Sequence, residues 1–329
     1  MRSRNMLSRR TFLHLLAGAA ALPALSRLAC AQAYPSRPVR WIVGFTPAGG
    51  NDITARLIGQ WLTERLGQPF VIENRPGAGT NIAAEIVINS PPDGYTLFLT
   101  NTSNAVNASL YERLNFDFAR DMAPVVGISR APVIMAVNPS VPAKTVAEFI
   151  AYAKANPGKI NMGSAGTGAT GHLAGELLQM MTGIKLVHVP YRGNAPALTD
   201  LIAGQVQLVF PSSASAIELV KTGRVRGLAV TGSTRLDALP DLPTVADSLP
   251  GYEASSLYGI GAPRGTPAEI VDRLNKEVNA ALADPRMRAR FADLGGTPFG
   301  GSPADFGKLM SDETEKWSKV VKFAGIKPQ

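Results

Sequence analysis

Apolar residues along this chain fall into short continuous runs separated by stretches of helical period. The run "VRWIVGF" (39–45) reads as a buried strand. Behind it Ile53, Leu57, Ile58, Trp61, Leu62 and Leu66 share one helical face, and Gly67 stops the helix. "FVIEN" is a second strand, "NIAAEIVIN" a helix, and "YTLFLT" a third strand opened by the turn "PPDG". This β-α-β-α-β order predicts a mostly parallel sheet covered by helices.

The alternation resumes after a proline-marked passage. "PVIMAV" leads into "NPSVPAKT", where Thr145 is placed to cap the helix "VAEFIAYAKAN". Then follow the strand "INMGS", the helix "HLAGELLQMM", the strand "KLVHV", the helix "APALTDLIAG", the strand "VQLVF", the helix "AIELVKTG" and the strand "GLAVTG". "SSLYGIGAP" is a candidate strand returning to the first half, and three helical segments beginning at "TPAEIVDRLNKEVNAAL" close the chain. The pattern predicts two α/β lobes with a cleft between them. Residues 34–130 and 255–329 form the first and residues 131–254 the second. There is no long linker, low-complexity tract or exact repeat.

Composition adds an address. The 329 residues carry a formal charge of +8, but the first 33 hold five arginines (Arg2, Arg4, Arg9, Arg10, Arg27) and no acid. Without them 28 basic residues face 25 acidic ones, a net of +3, which gives no electrostatic case for nucleic acid. Paired Arg9 and Arg10, the apolar run "FLHLLAGAAALPAL" and then "AQA" form an export signal of the twin-arginine type, cleaved near Ala33. The apolar run falls short of the about 20 residues that span a bilayer, which argues against an anchor. Lipid attachment at Cys30 in "RLAC" is a weaker alternative, because Arg27 stands where an aliphatic residue is expected. Cleavage removes Cys30, the only cysteine, and with it any disulfide or thiolate metal site.

Candidate chemistry is sparse. Two histidines remain after cleavage, His172 and His188. His172 is expected to make a structural hydrogen bond at a helix start, and His188 to lie in the core. Ser164 and Ser212 lie outside any G-x-S-x-G elbow, so a hydrolase lacks a recognisable base. Gly166, Gly168 and Gly171 in "GSAGTGATGHLAGELL" spell the dinucleotide fingerprint G-x-G-x-x-G. The acid expected about 20 residues on is missing. Arg192 could serve a 2′-phosphate instead, so an exported NADP-dependent oxidoreductase is the alternative function. A second loop, "FTPAGGND" (45–52), also joins a strand to a helix through paired glycines. Two such loops, one per lobe, would each offer free backbone N–H groups and a positive helix end to a small anion. Asp52 is expected to cap its own helix.

These segments together resemble the Bug family of solute receptors, the periplasmic binding components of tripartite tricarboxylate transporters. The resemblance runs from "YPSRPVRWIVGFTPAGGND" to "WSKVVKFAGIKP" and includes "LGQPFVIENRPGAGTNIAAE", "HVPYRGNAPALTDLIAGQVQLVF" and "APRGTPAEIVDRLN". It implies a two-lobed, type II periplasmic-binding-protein fold of the Venus-flytrap kind, and a monomeric receptor that closes at a hinge on a small carboxylate and delivers it to membrane permease subunits. It implies no enzyme activity, no cofactor and no metal. Carried onto this chain, one pincer loop comprises Phe45, Thr46, Gly49, Gly50, Asn51 and Asp52. The other comprises Ser164, Ala165, Gly166, Thr167, Gly168 and His172. Asn101, Ser103, Tyr191, Arg192, Ser212 and Tyr258 are expected in the walls. Gly44 and Ala48 replace a proline and a glycine usual in the first loop, and Pro211 stands where the family usually has an aspartate. Di- and tricarboxylates, acidic amino acids and aromatic carboxylates all remain candidate ligands, since backbone recognition leaves little of the choice to side chains.

Overall fold

A computed structural model describes residues 34–325; the segment read as an export signal, Cys30 and the last four residues lie outside them. Two sheets organise the chain. Strands β1 (Val39–Val43), β2 (Phe70–Asn74) and β3 (Thr96–Asn101) pair in parallel through β1. β4 (Met122–Pro132), β10 (Ser255–Pro263) and β11 (Thr297–Pro298) complete the first sheet in the order β11-β4-β10-β3-β1-β2. The second sheet runs β7-β6-β8-β5-β9, from β5 (Ile134–Val137), β6 (Ile160–Ser164), β7 (Leu186–Pro190), β8 (Leu208–Val209) and β9 (Arg226–Val230).

The pairing is mixed rather than mostly parallel. β10 runs antiparallel to both β3 and β4, and β5 antiparallel to both β8 and β9. These are the strands by which the chain leaves one sheet and returns to it, so they cannot follow the right-handed β-α-β rule that aligns the rest. The crossings fall at Val133, between β4 and β5, and in the segment between Val230 and Ser255.

Helices begin where strands end. They are α1 (Gly50–Leu66), α2 (Asn81–Ile88), α3 (Thr102–Leu110), α4 (Phe118–Asp121), α5 (Val146–Ala155), α6 (Thr170–Thr182), α7 (Asn194–Ile202), α8 (Ser213–Lys221), α9 (Ala268–Ala283), α10 (Pro285–Asp293) and α11 (Pro303–Ala324). Gly67 closes α1 in the left-handed conformation at φ 72°, and the Thr145 hydroxyl caps α5 by accepting from the Glu148 N–H. Both agree with the sequence reading. Two helices have no counterpart in it, α3 and α4, and α3 proves central.

One core joins the halves. Val106 and Leu110 of α3, Leu173 and Leu178 of α6, and Trp317, Val320 and Val321 of α11 pack in a single buried cluster with Met135 and Phe149. The Trp317 indole donates to Glu313 Oε2 at 2.7 Å, and Glu313 pairs with Arg130 at 3.0 Å. Burying a side chain as large as Trp317 contributes roughly 3 kcal/mol, and here it fastens the C-terminal helix beneath both sheets.

Candidate functional site

Five helices start at one small cavity. Its wall takes Asn51 from the first turn of α1, Asn101 and Ser103 from the start of α3, Thr170 and Gly171 from α6, Asn194 from α7, and Ser212 from the residue before α8. Each comes from the carboxyl end of a strand, where the chain must turn. A positive helix end is worth about 0.3–1 kcal/mol to a nearby anion, and more where water is excluded. Among the described residues, α3 is capped by the Asn101 side chain, whereas α1, α6, α7 and α8 carry no capping side chain. Elsewhere the helix starts at Asp117, Thr145, Asp284 and Ser302 are capped, whereas those of α2 and α9 are not.

No residue lining this cavity is charged. Its volume is about 30 Å³, room for little more than a water molecule. Phe45 and Ala165 line it and also a wider cleft of about 480 Å³, which adds Gly166, Thr167, Tyr191 and Arg192. Two residues of the inner cavity each keep a buried polar atom without a partner, Asn51 Oδ1 and Asn101 Nδ2, and Thr46 Oγ1, beside Gly193, is a third such atom. Each such atom costs about 1–3 kcal/mol unless something meets it. Tyr258 is buried in the opposite wall, and burial pushes its phenol up to about 12, so it stays a neutral donor.

The two glycine loops differ from expectation in how their N–H groups are used. In the first, Ala48 N–H donates to Asp52 at 3.0 Å and Gly50 N–H donates to the Ser212 hydroxyl at 3.2 Å. In the second, Gly166 N–H donates to Ser164 Oγ and Gly168 N–H to His172 Nδ1. The second loop therefore braces itself, the first is tied to Asp52 and across to Ser212, and the donors left to a ligand are the remaining first-turn amides of the helices behind them. The same bonds leave no cradle for a pyrophosphate at Gly166 and Gly168. Gly171 has a packing role instead, since a Cβ there would stand 2.3 Å from the Phe210 carbonyl oxygen.

Other expected residues take supporting places. Asp52 is buried and accepts from Ala48 N–H, Arg56 and Asn74, so it points away from the cavity. Burial pushes its carboxyl up, but those hydrogen bonds outweigh the effect and hold it below its ordinary value. Gly49 borders no cavity wall, while Gly50 lies tight against Tyr258 and Ser212. The Tyr191 hydroxyl is held by Asp200 at 2.6 Å. Ser212 is the busiest polar side chain here, accepting from Gly50 N–H and from Asn194 Nδ2 at 3.1 Å and sharing a hydrogen bond with Ser215 at 2.8 Å. Pro211, in place of the usual aspartate, accepts from Ile134 N–H and helps start β5.

His188 is not simply a core residue. It is half-buried, stacks on His172 with ring centroids 3.8 Å apart, and lies 2.6 Å from Ser164 Oγ. Burial first, and then His172, lowers its pKa to about 3, so it is neutral. A serine beside a neutral imidazole has the parts of a nucleophile. But Ser164 is 0 % exposed and its hydroxyl serves Gly166, so no substrate carbonyl can reach it. The sequence alone does not place Thr170, Asn194 and Ser256 at the site, and it presents Gly171 only within the dinucleotide fingerprint. Ser256 had a signal, because it lies two positions from Tyr258 on the same strand face.

Comparison with known proteins decides the family. A profile described as "Tripartite tricarboxylate transporter family receptor" matches residues 54–326. The chain belongs to this family. Protein BugT of Bordetella pertussis, a relative, is 34% identical over 300 residues, covering 90% of this chain and 92% of BugT. Among solved structures, R. palustris Rpa4515 with adipate is 41% identical with a TM-score of 0.88, covering 90% of this chain and all of that one. MatC from Rhodopseudomonas palustris, with bound malate, is 33% identical with a TM-score of 0.83, covering 88% of this chain and all of that one. A further solved structure, described as periplasmic binding protein BugD, is 33% identical with a TM-score of 0.86, covering 90% of this chain and all of that one, in keeping with the resemblance to the Bug family. Among the described residues of this family member, no helix is long and apolar enough to cross a membrane.

Proposed function

We propose that this chain is a periplasmic receptor that captures a small carboxylate, with a carboxylate head at the cavity ringed by Asn51, Asn101, Thr170, Asn194 and Ser212 and the rest of the ligand in the wider cleft that shares Phe45 and Ala165. The observation that carries this reading is the convergence of five helix starts, four of them uncapped, on a cavity without a charged side chain. An anion there meets oriented N–H dipoles at no cost of reorganisation, and its oxygens can take the Asn101 Nδ2 donor that otherwise stays orphaned. The adipate and malate in the two solved relatives support a dicarboxylate. Asn51 Oδ1 and Thr46 Oγ1 then accept from, or bridge through water to, the rest of the ligand.

In this reading residues 34–130 with 255–329 form one lobe and residues 131–254 the other. They part at the crossings near Val133 and between Val230 and Ser255, and close on the ligand. The closed form is a monomer that presents its ligand to permease subunits, after cleavage of the export signal near Ala33. It binds and releases without chemistry. The oxidoreductase alternative loses its support, because Gly166 and Gly168 direct their N–H groups inward.

The test is a thermal-shift screen of residues 34–329 against adipate, malate, tricarboxylates, aromatic carboxylates and NADP. At about 100 times its dissociation constant a ligand adds about 2.7 kcal/mol. A shift with a carboxylate and none with NADP supports the receptor. A shift with NADP alone overturns it.

A further inference from the structure

A second chamber, separate from the carboxylate cavity, lies in the first half between α3, α4 and α11. Its volume is about 460 Å³, within the range of small-molecule sites and far larger than the inner cavity. Apolar side chains make its walls, among them Phe116, Phe118, Met122, Phe306 and Met310. Its floor is polar. Asn81, Thr100 and Asn107 line it, are 8 %, 2 % and 2 % exposed, and each keeps one side-chain atom without a partner: Asn81 Nδ2, Thr100 Oγ1 and Asn107 Oδ1.

The hydrogen bonds around them fix what they offer. Asn107 Nδ2 donates to the Gly79 carbonyl at 2.8 Å, which leaves its Oδ1 as an acceptor. It also donates to Asn81 Oδ1 at 2.6 Å, which leaves Asn81 Nδ2 as a donor. The Thr100 hydroxyl can act either way. The floor thus offers a donor at Asn81 and a hydroxyl at Thr100, while Asn107 Oδ1 is turned toward Gly79 and Gly168 and Asn107 serves to orient Asn81. The charged residues in the lining are Glu112 and Asp117, both acidic, and no lysine or arginine is among them. Acid at the rim disfavours the carboxylate that the other cavity takes.

We infer that this chamber binds an uncharged amphiphile, with an apolar body of about six carbons and a head, such as a primary amide, that both donates and accepts. Its head accepts from Asn81 Nδ2 and donates to the Thr100 hydroxyl, and its body lies between Phe118 and Phe306. α3 is the wall shared with the carboxylate cavity. Thr100 faces the chamber, while Asn101 and Ser103 face the carboxylate.

The test titrates hexanamide, 1-hexanol and hexanoate into residues 34–329, with binding located by backbone amide chemical shifts. Hexanamide is expected to bind and to shift amides of α3, α4 and α11. Hexanoate is expected to bind at least tenfold more weakly at those amides. Thr100→Val, which keeps the shape and removes the hydroxyl, should weaken hexanamide about 2- to 10-fold, the range of one neutral hydrogen bond. Ala108→Trp, on the exposed face of α3 at the chamber mouth, should abolish hexanamide binding while a carboxylate such as adipate still shifts the amides of α1 and α6. No binding of hexanamide, shifts confined to the carboxylate cavity, hexanoate as tight as hexanamide, or unchanged binding in Ala108→Trp would each overturn the assignment.

Discussion

At Ala48 a side chain occupies a backbone conformation that suits glycine, with φ at 63°. The left-handed region costs an ordinary residue roughly 1–2 kcal/mol. The loop accepts this because Ala48 N–H is held by Asp52, which Arg56 and Asn74 hold in turn. Ala48→Gly should therefore raise stability by about 0.5–1 kcal/mol, after allowing for the greater freedom of glycine in the unfolded chain. Urea unfolding measures it, and a loss of stability would show that Ala48 is unstrained. The paired glycines next to it are unequal. At Gly49 an added Cβ has its nearest neighbour at 3.7 Å, whereas at Gly50 it would stand 2.5 Å from the Tyr258 hydroxyl and 2.9 Å from Ser212. Gly49→Ala should leave adipate binding within about twofold of wild type. Gly50→Ala should destabilise the closed form by about 1–3 kcal/mol, as overpacking does, and weaken binding accordingly, whereas Gly171→Ala, which crowds Phe210 of its own lobe, should cost a similar amount of folding stability. The pair "GG" was visible in the sequence. Which glycine is tight was not, because the atoms that decide it belong to Ser212 and Tyr258, far along the chain.

Among the elements, strands and helices with strong periodicity were legible and those formed by tertiary contact were not. α3, "TSNAVNASL", contains the weak helix formers Thr, Ser and Asn and shows little apolar stripe. It forms because Asn101 and Asn104 make a reciprocal cap and because Val106 and Leu110 are drawn into the shared core. "VQLVF" yields only the two-residue β8, since the chain turns at Pro211 to begin α8. The site followed the same division. Loops at the ends of β1 and β6 could be located from their glycines, but the contact of Ser164, His188 and His172 joins the ends of β6, β7 and α6 and has no sequence signature. That contact carries a pH dependence. The folded pKa of His188 is near 3 against about 6.5 unfolded, so the unfolded chain takes up the proton first. Stability contributed by neutral His188 is complete above about pH 6.5 and is lost at up to about 1.4 kcal/mol per unit as pH falls toward 3. His188→Gln, which still can hydrogen-bond Ser164, should flatten the stability curve between pH 6 and 4 in urea titrations. An unchanged slope would mean that His188 is already charged in the folded protein.

At the scale of the whole molecule the two sheets are held together in two different ways. The core around Trp317 joins them permanently, with Arg130, Glu313 and the indole in one buried network. Across the cavity they meet through few polar contacts. The Ser212 hydroxyl accepts Gly50 N–H, the Ser256 hydroxyl donates to Thr170 Oγ1 at 3.1 Å, and the Ser215 hydroxyl reaches the Ala48 carbonyl at 3.3 Å. These three hydrogen bonds, two of them buried, are worth about 1.5–4.5 kcal/mol together. Against them stand three orphaned atoms, Thr46 Oγ1, Asn51 Oδ1 and Asn101 Nδ2, whose burial costs a similar or larger amount. Without ligand the balance favours opening, and a ligand that satisfies the orphans reverses it, because it binds the closed form alone. The radius of gyration in solution should therefore fall when adipate or another ligand from the screen is added. Ser212→Ala removes the acceptor for both Gly50 N–H and Asn194 while leaving the Trp317 network intact. It should weaken ligand binding by about 5- to 30-fold, mostly through faster release, with little change in resistance to urea. Equal radii with and without ligand, in a protein shown to bind it, would mean that the closed arrangement is the resting form and that entry to the cavity needs no hinge.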